Sequence, residues 1–463
     1  MPITRRDLMR ASCCTAALGI ATNLSRFGLM QALAQAPAPA PYQALVCIFL
    51  FGGNDGNNVL VPTDTVGYNN YFTIRGDATN GGLGLAMSSL LPIASKTLQN
   101  GNNSFGLHPN MPELQALFTS GQLAFVANVG TLSKPLTRAQ YLAPAPPVPA
   151  NLFSHADQQQ QWQTLQVDGF YRSGWAGRMA DNVNPAFNIN STFPPITSVA
   201  GSAIFATGQT TKPYAMIPGT TPGLSGFDSS APSTARLQAL QQLLNFDTGV
   251  SLIQAASSIT SNSLTNSKIL SQALASAPTL LTQFPATGLG SQLKQVAQIL
   301  SVRSALGLNR QVFFCSLGGF DTHSAQIAIQ GPLLQQLSQA MNAFYSATVE
   351  LSVAQQVTTF TMSDFSRTFQ PGSNNGSDHA WGSVQMVLGG AVKGADIYGT
   401  LPDFKLGNLS LSDAGNNGRW IPTTSIDQYG ATLAQWFGVT AANLPPIFPN
   451  LVNFPTPKLG FLG

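Results

Sequence analysis

Three of the four histidines in this 463-residue chain stand among acidic residues in short polar segments. "GGFDTHSAQ" puts Asp321 two positions before His323, "GSDHAWG" puts Asp378 directly before His379, and "FSHADQQQQW" sets His155 between Ser154 and Asp157. Two more aspartates follow apolar runs: Asp55 in "GGNDGNN" and Asp364 in "TMSDFSRT". Mixed imidazole and carboxylate sets suit zinc, manganese or iron; calcium and magnesium favour oxygen alone. The candidate metal ligands are therefore Asp55, Asp321, His323, Asp364, Asp378 and His379. They would hold one or two divalent ions of Zn, Mn or Fe, or none. The candidate catalytic residues are Ser154, His155 and Arg367. A serine opening a helix sits where the dipole favours an alkoxide, and a guanidinium can grip a pair of anionic oxygens. No separate organic cofactor site is expected.

Each residue also has a structural use. Asp55 can close a turn, Asp321 can cap the next helix, and Asp378 can brace His379. Ser154 and Asp157 match the start of a capping box, and Arg367 can serve as a surface ion-pair partner. The fourth histidine, His108 in "LHPNMPEL", reads as structural, before a proline suited to a helix's first turn.

What tips the set toward a site is where the elements place it. "ALVCIFLF" (44–51) is a continuous apolar run, and 123–129, 312–317, 357–362 and 384–388 are similar. Such runs read as strands covered on both faces, as in parallel α/β sheets. Between them, Leu293, Val296, Ala297 and Leu300 keep helical spacing, as do Leu333, Leu337, Ala340, Met341 and Phe344. The expected fold class is α/β: a doubly wound, mostly parallel sheet flanked by helices. In such sheets ligands bind beyond the carboxyl ends of the strands, where Asp55, Asp321, His323 and Asp364 fall. One domain is expected over 44–463, with 185–290, rich in Pro, Gly, Ser and Thr, as a cap or insertion.

Composition narrows the function. Charged residues make up 8% of the chain, far below the usual quarter or so. Removing Arg5, Arg6, Arg10, Arg26 and Asp7 with the first 36 residues leaves 17 basic and 17 acidic side chains. The remaining chain has no basic patch, so no nucleic-acid partner is expected. No later segment is apolar for long enough to span a membrane. G-x-S-x-G, the P-loop and G-x-G-x-x-G patterns are all absent. Cys47 and Cys315 fall inside expected strands and read as core residues rather than a disulfide.

These segments resemble a family. "TRRDLMR", "FLFGGNDGNNVLVP", "SHADQQQQW", "SLGGFDTHSAQ", "TMSDFSRT" and "SDHAWGSVQMVLGGAVKGADIYG" are similar to bacterial secreted proteins grouped as domain of unknown function 1501. That family in turn resembles the alkaline phosphatase and sulfatase superfamily, which implies an alkaline-phosphatase-like core carrying metals. By that resemblance Asp55 matches the aspartate after the first strand. Asp321, His323 and His379 match one metal position, and Asp364 matches the acid of a second. The superfamily places a histidine beside that acid, where this chain has Phe365. Ser154 stands where the nucleophile would open a helix. The resemblance implies an exported metal-dependent hydrolase of phosphate or sulfate esters, acting on a small anionic ester or an envelope polymer. The alternative is a non-catalytic exported envelope protein that binds a polymer or protein partner.

The start of the chain, "MPITRRDLMRASCCTAALGIATNL", has an arginine pair, a weakly apolar stretch and then "ALAQA", ending at Ala36. This describes a cleaved twin-arginine signal (1–36) followed by a Pro-Ala linker (37–43), and so a periplasmic or secreted protein. Replacing Arg5 and Arg6 by lysine should leave unprocessed precursor in the cytoplasm. Normal levels of processed protein in the periplasm, beginning near Pro37, would count against this route.

Overall fold

The first strand alternates between two cores. In the computed structural model, which describes residues 41–166, 172–220, 222–224, 226–247 and 249–463, Ala44, Val46, Ile48 and Leu50 enter one apolar cluster, while Leu45, Cys47 and Phe49 enter another. The expected export signal and residues 37–40 of the linker lie outside the described residues.

The described strands are β1 (Gln43–Leu50), β2 (Leu60–Pro62), β3 (Leu91–Gln99), β4 (Asn102–Leu107), β5 (Leu123–Gly130), β6 (Ile196–Ser198), β7 (Tyr214–Ala215), β8 (Arg310–Leu317), β9 (Val357–Ser363), β10 (Ser383–Gly389), β11 (Asp396–Gly399) and β12 (Thr424–Ser425). The helices of eight or more residues are α1 (Thr65–Arg75), α2 (Pro112–Thr119), α3 (His155–Thr164), α4 (Trp175–Phe187), α5 (Ala231–Leu244), α6 (Ser251–Leu274), α7 (Gly288–Ser301), α8 (Gln326–Glu350) and α9 (Ile426–Phe437). The main sheet has nine strands in the order β11-β5-β10-β9-β1-β8-β6-β7, with β12 beside β5.

Helices cover both faces. Leu293, Val296 and Leu300 of α7 and Leu334, Leu337 and Met341 of α8 fill one core. Trp175 and Met179 of α4 and Tyr429 and Leu433 of α9 fill the other. Burying each large apolar side chain contributes about 1.5–3 kcal/mol, so the β1 run holds both layers to the sheet at once. This is the expected doubly wound α/β architecture. Cys47 and Cys315 are both free and face opposite cores.

The sheet is parallel except at β10, which runs antiparallel to both β9 and β5. A parallel return needs a crossover, usually a helix. Residues 364–382 contain no helix, so the chain turns straight back. The reversal keeps the whole segment at the carboxyl edge of β1, β8 and β9. Within the stretch read as a cap, β6 and β7 extend the sheet, and α6 sends Leu270 and Ala273 into the core. A second sheet, β2-β4-β3, lies apart from the run-based expectations. Its β3–β4 turn is Asn100-Gly101, both at positive φ, the two-residue hairpin that Asn-Gly favours.

α9 opens with a capping box between Ser425 and Gln428 and buries Asp427 beside it. Asp427 accepts from the Asn450 backbone N–H at 3.1 Å and from its Nδ2 at 3.3 Å. Burial still pushes its carboxyl up to about 7. A folded-state value above the unfolded one means stability that is complete at acid pH and lost as pH rises through about 7. Between about pH 5 and pH 8 the loss from this group should be about 2–3 kcal/mol. Denaturant titrations of metal-free wild type and Asp427→Asn should show the variant losing that much less over this range. Parallel pH profiles would refute the assignment.

Candidate metal centre

Three loops meet beyond the carboxyl edge: the turn after β1, the segment after β8, and the β9–β10 connection. A fourth element, the N-terminal turn of α3, closes over them. The β1 turn passes through Gly52 at φ +110° and Gly53 at φ +84°. A Cβ on Gly52 would collide with the Asp321 backbone nitrogen, and one on Gly53 with the Phe365 ring. Glycine is therefore required for these loops to approach.

Asp321 is the centre of the cluster. Its Oδ1 lies 3.0 Å from His323 Nε2, 3.4 Å from His155 Nε2 and 3.5 Å from His379 Nε2. His323 Nε2 and His379 Nε2 are 2.9 Å apart. The ligand atoms of His155, Asp321 and His379 all lie within 4.8 Å of one another. Ligand atoms around an ion with 2.1 Å bonds are about 3.0–3.4 Å apart in octahedral or tetrahedral geometry. The distances from Asp321 Oδ1 to the three Nε2 atoms lie at or near that range, and the His155, Asp321 and His379 atoms as a set span no more than 4.8 Å.

The far side of each ring is anchored. His155 Nδ1 lies 2.7 Å from Asp364 Oδ2, and His379 Nδ1 lies 2.7 Å from the Phe153 carbonyl. His323 Nδ1 faces Asp378 Oδ1 at 3.4 Å. Carboxylate and carbonyl oxygens only accept, so the protons of His155 and His379 belong on Nδ1 and their Nε2 lone pairs face the cluster, where His323 Nε2–H can donate to His379 Nε2. His155 Nε2 is buried and has no hydrogen-bond partner. The bond to Asp364 raises the His155 pKa, and burial lowers that of His379. A divalent cation would satisfy the buried His155 Nε2, the His379 Nε2 and the Asp321 carboxylate together, with His323 Nε2 alongside at 3.0 Å from Asp321 Oδ1. The donor set therefore fits such an ion.

Arg367 is fully buried rather than a surface partner. Its Nη1 donates to Asp321 Oδ1 at 2.8 Å and to the Gly52 carbonyl at 3.3 Å, and its other nitrogens donate to Ser377. Burial works against the charged form of Asp321, but the bond and charge of Arg367, with His155 and His323, hold its carboxyl below the usual range.

The other candidates divide. Asp364 is buried and takes bonds from Gly52 N at 3.2 Å and Gln159 Nε2 at 2.8 Å besides His155. It orients His155 rather than facing the cluster. Asp378 is mostly exposed beside His323. Asp55 is engaged elsewhere, in a buried ion pair with Arg75. Ser154 occupies the N-cap position of α3 but makes no capping bond. Its Oγ donates to Asp157 Oδ2 at 2.6 Å, so the expected capping box does not form. Asp321 caps no helix; α8 begins after Ala325. His108 is buried, accepts from Asn110 N at 3.1 Å, and is held low, at about 4, by burial. Pro112, not Pro109, opens the helix that follows. Sequence reasoning read His155 as catalytic and missed its place among the ligand atoms. It also missed Gln159, one helical turn later, although that i, i+4 spacing was legible. Phe365 lies 4.7 Å from His379 and 4.8 Å from His155, ring centre to ring centre.

A family model described as protein of unknown function (DUF1501) matches residues 42–410. No curated protein matches the sequence. Among solved structures, the chain is similar to Ps i-CgsB in complex with k-i-k-neocarrahexaose, at 9% identity over 90% of this chain and 77% of that one, TM-score 0.36. It is similar to the PsFucS1 sulfatase from Pseudoalteromonas sp. at 7% identity, over 79% and 66% of the two chains, TM-score 0.29. It is similar to the alkaline phosphatase of the Antarctic bacterium TAB5 at 8% identity, over 75% and 91%, TM-score 0.23. Likenesses this shallow carry no chemistry across.

Asp364→Asn should weaken Zn²⁺ or Mn²⁺ binding about 10–100-fold, as loss of a partner behind a ligand histidine does. Titration against a competing chelator measures it. Unchanged affinity would show that Asp364 does not hold His155 for a metal.

Proposed function

We propose, from the premise that this chain belongs to the DUF1501 family, that it is an exported metal-dependent hydrolase of phosphate or sulfate esters. The observation that carries the proposal is the buried, unpartnered Nε2 of His155 beside Asp321 Oδ1 and the Nε2 atoms of His323 and His379. His155, Asp321 and His379 would hold one ion, with His323 adjacent to Asp321 and His379 and with Zn, Mn and Fe all suited to the donor set. When bound, such an ion supplies Lewis acidity toward an ester oxygen.

The chain's own groups supply the rest. Arg367 fixes Asp321, and Asp364, Asp378 and the Phe153 carbonyl set the three rings. Phe365 walls off one side of the rings from water. The side chains of Asp321 and His323 are each 48% exposed, which leaves an open face for a small anionic ester or a chain end of an envelope polymer. Water is the attacking group in this proposal. Ser154 is bonded to Asp157, whose carboxyl is held below its usual range by Asn151 and by Ser154 itself. That makes a weak base for activating the hydroxyl.

The alternative is a non-catalytic exported envelope protein that keeps the fold and binds a polymer or protein partner. It is favoured by the same engagement of Ser154 and by the commitment of Arg367's donors to protein acceptors. Elemental analysis of protein purified from the periplasm, with assays on aryl phosphate and aryl sulfate esters, separates the two. Hydrolysis is expected, falling at least about 100-fold in His155→Ala with loss of metal, and changing only a few-fold in Ser154→Ala. Metal-loaded protein that cleaves neither class would favour the binding role. Protein without metal would end the hydrolase reading and favour the binding role.

A further inference from the structure

We infer that this centre holds a single divalent ion per chain, and that the guanidinium of Arg75 stands in for a second cation. The inference rests on the metal reading above. Asp55 follows β1 at the carboxyl edge, where an acidic ligand of a second ion is expected, but nothing on it is free. Arg75 pairs with Oδ2, and both side chains are 0% exposed. Gln326 Nε2 donates to the same oxygen at 2.5 Å. Oδ1 takes the Asn57 backbone N–H at 3.1 Å and Asn57 Nδ2 at 2.8 Å. Four donors, one of them charged, saturate the carboxylate.

Arg75 is held through its two terminal nitrogens, its buried Nε making no hydrogen bond. It ends α1, donates from Nη1 to the Phe369 carbonyl at 3.1 Å, and lies 5.9 Å from the Tyr71 ring centre and 5.8 Å from that of Phe369. A metal ligand must offer a free lone pair, and Asp55 offers none without expelling a buried cation. The other carboxylate that a second ion would need, Asp364, is buried and accepts from Gly52, His155 and Gln159. Beside it Phe365 presents a ring, not a donor. Arg75 also reaches the proposed centre indirectly. Gln326 donates to Asp55 and accepts from Ser377 Oγ, and Arg367 donates to Ser377 and to Asp321. The fixed charge on Arg75 is thus joined to the ligand carboxylate by hydrogen bonds through buried groups.

Native mass spectrometry and elemental analysis of full-length mature protein, titrated with Mn²⁺, give the count directly. Electron paramagnetic resonance of the loaded protein gives an independent sign. The expected result is one equivalent and the six-line spectrum of isolated Mn²⁺. Asp55→Asn should keep that stoichiometry, with affinity changed less than about threefold. If that variant does not fold, the paired Asp55→Leu, Arg75→Met removes both charges and serves instead. Two equivalents, or the spectrum of a coupled pair, overturns the inference while leaving the metal reading intact. No bound Mn²⁺, with Zn²⁺ and Fe²⁺ also failing to bind, overturns the metal reading and this inference with it.

Discussion

Arg367 carries a charge into a place without water, and the carboxyl edge is built to satisfy it. An unpaired buried guanidinium is strongly destabilising, so each of its bonds constrains whatever supplies the acceptor. Gly52 belongs to the turn after β1, Asp321 to the segment after β8, and Ser377 to the β9–β10 connection. One cation therefore fixes three loops relative to one another. The same loops carry Asp321, His323 and His379. The spacing among ligand atoms follows from how Arg367 is satisfied, and the backbone can meet its demands only because Gly52 and Gly53 allow the first turn to come close.

The sheet makes that convergence possible. β1 is covered on both faces, so its polar continuation has to emerge at the strand end. β8 and β9 flank it in parallel register and deliver their loops to the same edge. The antiparallel β10 adds something a fully parallel sheet would not. It begins where β9 ends, so residues 364–382 never leave the edge. Asp364, Arg367, Ser377, Asp378 and His379 all come from this one helix-free segment. Behind it, Arg75, Asp55, Gln326 and Ser377 extend the polar network inward, and such networks hold a single arrangement only when their members are satisfied.

Much of this was legible in the sequence, and the failures have physical causes. Continuous apolar runs located the five long strands of the sheet, because burial on both faces leaves no polar alternation to misread. The same rule hid β6, β7, β11 and β12, which are too short to form runs, and β3, whose buried positions include the polar Ser95 and Gln99 and whose exposed ones include Leu98. The Asn100-Gly101 hairpin signal was present but lay outside a search for buried runs. Asp321, His323 and His379 were found because they directly follow strands or share one long loop. His155 was not placed with them, since it belongs to the helix across the edge and its neighbours Ser154 and Asp157 imitate a helix cap. Arg75 left no trace. Its partner is 20 positions away on an unrelated turn, and a buried arginine cannot be told from a surface one by its neighbours in the chain. Asp55 was misassigned for the same reason.

Holding the rings has a cost in backbone strain, which shows how the centre differs from sites that fold around their metal. Phe153, a bulky residue, sits at φ +75°, a conformation costing on the order of 1–3 kcal/mol. It persists because its carbonyl accepts a hydrogen bond from His379 Nδ1 while Arg419 lies 4.3 Å over its ring and donates to the His379 carbonyl at 2.8 Å. A small metal-dependent domain derives its folding energy from the ion. Here two large apolar cores and two buried arginine networks organise the chain, and protein contacts hold Phe153 in its strained backbone. The rings of His155 and His379 are anchored through Nδ1 by groups from other elements, so at the proposed centre an ion would meet loops that the protein has already ordered.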